Sequence, residues 1–249
     1  MKLSQVKKKK PTVKKSTQTG FILWEGLSQH DNKPIAAIAT MTSNNVKTGN
    51  MIQTWIIRTD IEPHEAVKNS QDGSVCGACP FKSGAGCYVR TEQAPLAVYR
   101  AYHKGNYKRV SIAEIPLIAI NRTVRIGAYG DPAFVPTHIW KALVSNAIGF
   151  TGYTHQHKQP WFDPNLTKYC MVSADTIAES EKLNAMGIRT FTAISDKESV
   201  PDNQLICPNF THGVICNDCK LCDGGKNGKS IIAPIHGVKQ KIVKFIANR

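Results

Sequence analysis

Beyond Arg122 the chain switches repeatedly between two hydrophobic periods, and this alternation restricts the fold more than any other feature of the sequence. Thr123–Tyr129 (TVRIGAY) is a short β-branched run that stops at Gly130-Asp131-Pro132. Thr137–Ile148 then places Ile139, Trp140, Leu143, Val144, Ala147 and Ile148 on one helical face. Strand patterns follow at Phe150–Thr154, Tyr169–Ala174, Arg189–Ile194, Gln204–Ile206 and Ser230–Ile235. Between them, Thr176–Met186 reads as a helix that opens on a Thr176/Glu179 capping box and stops at Gly187. Strands alternating with helices imply parallel βαβ units. No GxGxxG follows the first of these strands, so nothing specifically supports a dinucleotide fold. The expected class is α/β, a partial (βα) barrel-like parallel sheet carrying two Cys-ligated metal centres.

The part before this alternation reads differently. Phe21–Leu27, Pro34–Met41 and Met51–Asp60 are strand patterns in succession, as in an antiparallel β meander. A helix over Ala94–Lys104 has Pro95 in its first turn, and a basic helix over Val238–Ala247 ends the pattern. The division expected is a basic tail over 1–18 and one α/β metal-binding domain over 19–249. That domain comprises a meander over 19–73, a barrel-like core over 74–237 and the C-terminal helix over 238–249. In barrel-like folds ligands lie at the carboxyl ends of the strands. Gly130, Asp131, Pro132, His155, Ser173, Asp175, Ser195, Asp196 and Cys207 follow expected strand ends, which predicts that they converge on one mouth.

Seven of the eight cysteines fall into two unequal groups. Cys76, Cys79 and Cys87 share the Gly-rich run SVCGACPFKSGAGCY, and Cys207, Cys216, Cys219 and Cys222 share CPNFTHGVICNDCKLC. Four thiolates complete a tetrahedral zinc site or saturate an iron–sulfur cluster, whereas three leave a coordination position open. The CxxCxxC run with a Cys-Pro upstream leans towards iron–sulfur, as in ferredoxin-type ligation. Two zinc arrangements compete at the first group. One is a Cys₃His knuckle closed by His64 or His103, and the other is a ribbon merging Cys76 and Cys79 with Cys219 and Cys222. Cys170, inside the apolar run YCMVSA, reads as a small buried hydrophobe.

Three cysteines in a loop before a helix, an aromatic residue (Tyr88) after the last, a later Gly-acid-Pro and a C-terminal four-cysteine group together resemble the radical S-adenosylmethionine superfamily and its barrel-like relatives, including uncharacterised phage proteins. The likeness extends over about residues 74–237, and the cysteine spacing here is two and then seven residues where that family's is three and then two. It implies a reactive iron–sulfur cluster on Cys76, Cys79 and Cys87, and an auxiliary or structural centre on Cys207, Cys216, Cys219 and Cys222. It also implies S-adenosylmethionine held by Gly130, Asp131, Ser173 and Tyr88, with Asp131, Asp175 and His155 as catalytic residues. The chemistry implied is reductive cleavage of the sulfonium to a carbon radical, followed by hydrogen abstraction from substrate. His155 and His157 also form a THQH run. Metal-dependent relaxation nucleases pair two histidines with a nucleophilic tyrosine, for which Tyr153 and Tyr169 are candidates, but Gln156 stands where that pattern has an apolar residue.

The net charge is +14, and half of it sits in Lys2, Lys7, Lys8, Lys9, Lys10, Lys14 and Lys15, with no acid among the first fifteen residues. Such an arm gains affinity for nucleic acid, DNA or RNA, by counterion release, or else it is a solvated solubility segment. Trp161, in the polar run HKQPWFDPN, is a candidate for stacking on a base or for ordinary packing. No apolar segment of membrane-spanning length and no apolar stretch behind the first lysines is evident. The expectation is a reducing cytoplasm (a host's, if phage-encoded) and no membrane partner, and it leaves the oligomeric state open. The readings carried forward are a radical-type iron–sulfur enzyme acting on or near nucleic acid and, as the alternative, a non-enzymatic nucleic-acid-binding protein with structural zinc.

Overall fold

The computed structural model describes residues 18–195, 198–236 and 238–247. The lysines of the tail, Lys7 to Lys10, Lys14 and Lys15, lie outside the described residues, as does Asp196.

β1 (Gly20–Leu27), β2 (Pro34–Thr40) and β3 (Ile52–Arg58) form the antiparallel meander. β2 has neighbours on both sides. Ile35, Ala36, Ala37, Ile38 and Ala39 are all buried, which explains why its sequence is continuously apolar instead of alternating. Three helices follow: α1 (Pro63–Lys68), α2 (Gly73–Cys76) and α3 (Ala94–His103). β4 (Lys108–Arg109) then returns to lie parallel to β1 at the sheet edge, and α4 (Ile115–Ile118) leads into β5 (Thr123–Tyr129).

β5 pairs parallel with β3, so meander and parallel region make one sheet. After α5 (Thr137–Val144) come β6 (Gly149–Thr154) and β7 (Met171–Ala174), each parallel to the strand before it. α6 (Ile177–Ala185) and β8 (Thr190–Ile194) follow. β9 (Gln204–Ile206), α7 (Pro208–His212) and α8 (Cys216–Cys219) precede β10 (Ser230–Pro234), which inserts between β8 and β9, and α9 (Lys239–Ala247) comes last. Among the described residues ten strands run in the order β4-β1-β2-β3-β5-β6-β7-β8-β10-β9.

Two faces result from the strand period of two. Val124 and Ile126 point to the helical side, against Ile139, Trp140 and Leu143 of α5. Trp140 is fully buried, and its indole N–H donates to the Pro132 carbonyl at 2.9 Å. Further along the sheet, Val172 and Ala174 pack with Leu183 of α6. The opposite face carries Arg125 in register with Thr151, Tyr153 with Met171, and Phe191 with Ile231.

Two local expectations need correction. α5 ends at Val144, not at residue 148, and Ile148 is exposed. Its amide donates to the Arg122 carbonyl at 3.0 Å, so the chain has already left the helix to enter β6. The capping box of α6 is displaced by one residue. Thr176 Oγ1 accepts from the Glu179 amide, but Glu179 Oε2 accepts from the Asp175 amide at 2.8 Å, not from Thr176.

Candidate metal centres

Cys76 is the last residue of α2, and Cys79 and Cys87 lie in the loop that follows. The loop is closed by its own backbone: the Cys79 amide donates to the Cys76 carbonyl at 3.1 Å and the Cys87 amide to the Phe81 carbonyl at 3.0 Å. Asp72 accepts from the Ser83 amide and hydroxyl at 2.7 and 2.6 Å. Gly77 (φ 52°) must be glycine, because a Cβ there would run into the Gln156 amide group and come within 2.8 Å of Phe134. From above, α9 lies on the loop. Phe245 stacks on Phe81 with centroids 4.4 Å apart, and Lys241 donates to the Val89 carbonyl at 3.0 Å.

Gln156 joins this loop to the strand ends. It is fully buried beyond β6; its Oε1 accepts from the Ala78 amide at 3.0 Å and its Nε2 donates to the Cys76 carbonyl at 2.9 Å. Asp131, beyond β5, completes the brace. Its carboxylate accepts from Ala133 N (3.0 Å), Thr154 Oγ1 (2.8 Å), His155 N (2.7 Å) and Gln156 Nε2 (3.2 Å). These four bonds occupy the acceptor directions of both oxygens. Gly130 serves packing: a Cβ there would lie 2.5 Å from the Ile56 carbonyl oxygen of β3.

Three of the predicted mouth residues, Asp131, His155 and Asp175, do gather here. The His155 ring lies edge-on to Phe81, and its Nε2 is 3.8 Å from Asp175 Oδ1. His157 Nε2 and Lys158 Nζ lie 3.3 and 2.5 Å from Glu179 Oε1. Burial holds both imidazoles below their usual proton affinity. A cavity of about 310 Å³, lined by Thr176, Ser195, Glu198, Phe245 and Ile246, opens between the ends of β7 and β8 and α9. Ser173 lies within β7 on the sheet face opposite the helices, in register with Phe191.

Burial raises the Cys76 thiol well above its ordinary value, and Asp72, Cys87 and Cys79 add to it. Burial also pushes Cys79 up to about 12, against a hydrogen bond from the Phe81 amide. Cys87 is raised by burial as well, opposed by the Val89 amide and Lys241. Burial thus disfavours thiolate at all three, opposed at Cys79 and Cys87 by the Phe81 and Val89 amides.

The second group forms elsewhere. Cys207 was expected at the common mouth. It instead packs with Cys222 against Met171, Ile231 and Ala233. The Cys207 amide continues the β9–β10 ladder by donating to the Ile232 carbonyl at 2.7 Å. The segment from Cys216 to Asp223 is clamped onto strand starts. The Cys216 amide donates to the Lys47 carbonyl at 2.9 Å, and the Gly152 amide to the Cys222 carbonyl at 3.0 Å. The guanidinium of Arg189 donates to the carbonyls of Leu221, Asp223 and Lys229 at 3.0, 2.5 and 2.8 Å. Burial pushes Cys222 up to about 12, against a hydrogen bond from Tyr153. Burial raises Cys216 too, with Arg125 and Lys47 opposing and Cys207 and Cys219 adding. Cys170 is buried immediately before β7, as expected of a small hydrophobe.

The cysteines thus partition as three and four. The merged zinc ribbon is not formed, and neither histidine closes a knuckle. His64 sits between Glu62 and Glu65, and His103 contacts the Thr59 carbonyl and Tyr99. Among the described residues no group of three or more His, Cys, Asp or Glu side chains is gathered tightly enough to hold a metal ion as it stands. All eight cysteines are free thiols.

Tyr153 pairs its hydroxyl with Cys222. Trp161 is half-buried against Phe134, with centroids 5.0 Å apart, and lines a groove of about 400 Å³. Tyr88 is exposed, and its hydroxyl accepts from Arg125 Nη2 at 2.7 Å. The sequence reading overlooked Gln156 as a brace, α9 as the cover of the loop, and Arg125. Only Arg125 left a trace: it is the one charge in an otherwise apolar strand.

No family model, curated protein or solved structure matches this chain. No helix among the described residues is long and apolar enough to cross a membrane.

Proposed function

We propose that this chain is an iron–sulfur metalloprotein, a radical-type enzyme acting on or near nucleic acid. The observation that carries the reading is the brace between Gln156 and Cys76, which fixes a three-thiol loop over the carboxyl ends of parallel strands, where barrel-like enzymes place their chemistry. Three thiols in one loop are the donor chemistry of a cluster with one open position, and their side chains must close further to hold it. Burial disfavours thiolate on all three, and the amides of Phe81 and Val89 work against it at Cys79 and Cys87, as metal binding would. Cys76, Cys79 and Cys87 would hold such a cluster, and the chemistry it would supply is one-electron reduction of the sulfonium of S-adenosylmethionine, with methionine as the leaving thioether and a carbon radical as the hydrogen-abstracting product.

The chain's own groups bind, orient and exclude water. Cys76, Cys79 and Cys87 ligate. Asp131, with its carboxylate committed to four donors, is a positioning residue for the loop. Phe245 and Phe81 shield the loop, and the 310 Å³ cavity beside them has room for a small cofactor. His155 and Asp175 remain the groups placed to hold or move a proton at the strand ends. Cys207, Cys216, Cys219 and Cys222 would hold the second centre, and Arg189 keeps their loop in place.

The complete four-thiol set favours a second reading, in which zinc at both groups stabilises a non-enzymatic nucleic-acid-binding protein. Metal and acid-labile sulfide analysis of anaerobically purified protein, with a visible spectrum before and after reduction, separates the two. The enzyme reading requires iron, sulfide and a visible band that bleaches on reduction, and colourless protein with zinc at both groups would overturn it.

A further inference from the structure

Arg125 stands on β5 between the two cysteine groups, on the sheet face away from the helices. One end of its guanidinium donates to Tyr88, the residue after Cys87. The same guanidinium lies 5.7 Å from the ring centroid of Tyr153, whose hydroxyl meets Cys222. Arg125 is half-buried, yet among the described residues it forms no ion pair with a carboxylate. A partly desolvated guanidinium without an anion is costly, and its planar fork matches phosphate oxygens. Thr151 lies beside it in register on β6, and its buried hydroxyl has no hydrogen-bond partner. Arg125, Thr151 and Tyr88 are therefore three side chains able to donate on one sheet face, with no carboxylate among them and the Cys216 and Cys222 thiols as the acidic groups beside the guanidinium. Tyr153 and Phe191, both half-buried with ring centroids 4.5 Å apart, adjoin them as an aromatic wall.

We infer that Arg125, Thr151 and Tyr88 form an anion site for a phosphate group of a nucleotide or nucleic-acid substrate, seated between the two cysteine groups. The inference deepens the reading above, since it supplies the substrate class for the face that the two groups share. Phosphate is favoured because every side chain in the trio can donate, and because the chain's net charge of +14 concentrates polyanions around it.

The test is calorimetric titration of full-length protein with AMP and with adenosine, at fixed salt, for wild type, Arg125→Gln, Arg125→Lys and Thr151→Val. The site predicts AMP affinity about tenfold or more weaker in Arg125→Gln, an intermediate loss in Arg125→Lys and about a threefold loss in Thr151→Val, with adenosine unchanged throughout. Thr151→Val keeps shape and charge, so it decides the matter if the arginine variants fold poorly. Metal content is measured on each sample. A wild type without iron sinks the enzyme reading while leaving the AMP result to judge the anion site. Equal AMP affinity in wild type, Arg125→Gln and Thr151→Val overturns the site. So does loss of metal from the second cysteine group in Arg125→Gln with AMP binding intact, which would make Arg125 a counter-ion to those thiolates.

Discussion

Gln156 Nε2 donates to the carbonyl of Cys76 at 2.9 Å, a bond between residues eighty positions apart that holds the three-thiol loop to the end of β6. The same amide group accepts from the Ala78 amide and donates to Asp131, so one buried side chain serves three partners. Gln156→Leu takes the partner from the Ala78 N–H, from the half-buried Cys76 carbonyl and from one oxygen of the buried Asp131 carboxylate. The expected cost is about 3 kcal/mol in denaturant unfolding, with weakened metal retention at Cys76, Cys79 and Cys87. A cost below about 0.5 kcal/mol would show that the brace is not structural.

Gly77 and Gly84 separate backbone strain from crowding in the same loop. Both have positive φ, 52° and 76°, but a Cβ on Gly77 collides with Gln156 and Phe134, whereas one on Gly84 meets open space. Gly84→Ala should cost about 1 kcal/mol, the penalty of a left-handed alanine. Gly77→Ala should cost clearly more and should also loosen the Gln156 bonds. Equal losses in paired urea titrations would contradict the packing described.

Arg189 is expected to govern the second group as Gln156 governs the first. Arg189→Leu removes the donor to three carbonyls around Cys222 and Asp223. Stability should fall by about 2–3 kcal/mol, and metal should be lost from the four-cysteine group alone, as read by metal stoichiometry. Loss of metal from both groups would argue against their independence.

Far from both groups, the edge of the meander supplies a pH signature. The Arg109 guanidinium, 2.7 Å from Glu25, holds that carboxyl below its ordinary 4.5, while burial pushes the Tyr102 phenol from 10.0 up to about 12, reinforced by its hydrogen bond to Glu25. A lowered carboxyl stabilises above its unfolded pKa and loses that contribution as pH falls through the folded value. A raised phenol stabilises below 10.0 and loses its contribution as pH climbs towards 12. Urea titrations across pH should therefore show the gap between wild type and Glu25→Gln closing on the acid side. The gap for Tyr102→Phe should close on the alkaline side. A Glu25→Gln gap that does not change with pH would contradict the pairing.

The lysine-rich start is tested by removal. Deleting residues 1–17 takes away seven lysines, so the slope of log affinity against log salt for duplex DNA or RNA should flatten by several units. An unchanged slope would leave the segment a solubility device.

Strands with strong local patterns were legible from the sequence, because β propensity and turn residues act over a few positions. β5 and β9 fall where their patterns place them, and the meander is antiparallel as read. β4 is only two residues long and exists because it pairs with β1, more than eighty positions earlier, so no local period reveals it. The shortening of α5 has the same origin, a distant carbonyl at Arg122 capturing the Ile148 amide. At the site, cysteine spacing separated three thiols from four. Their supports, Gln156, Arg189 and α9, arrive from remote segments. Gln156 even read as a defect in a histidine motif, because its partners are backbone atoms that leave no mark in sequence.

The most direct test of the account compares wild type with the triple variant Cys76→Ser, Cys79→Ser, Cys87→Ser, both purified anaerobically and analysed for iron, acid-labile sulfide and zinc. The account predicts iron and sulfide in wild type, with a visible band that bleaches on reduction. In the triple variant the share held by the three-thiol loop should disappear while metal at the four-cysteine group remains. Zinc alone in wild type, or iron and sulfide undiminished in the variant, would contradict it.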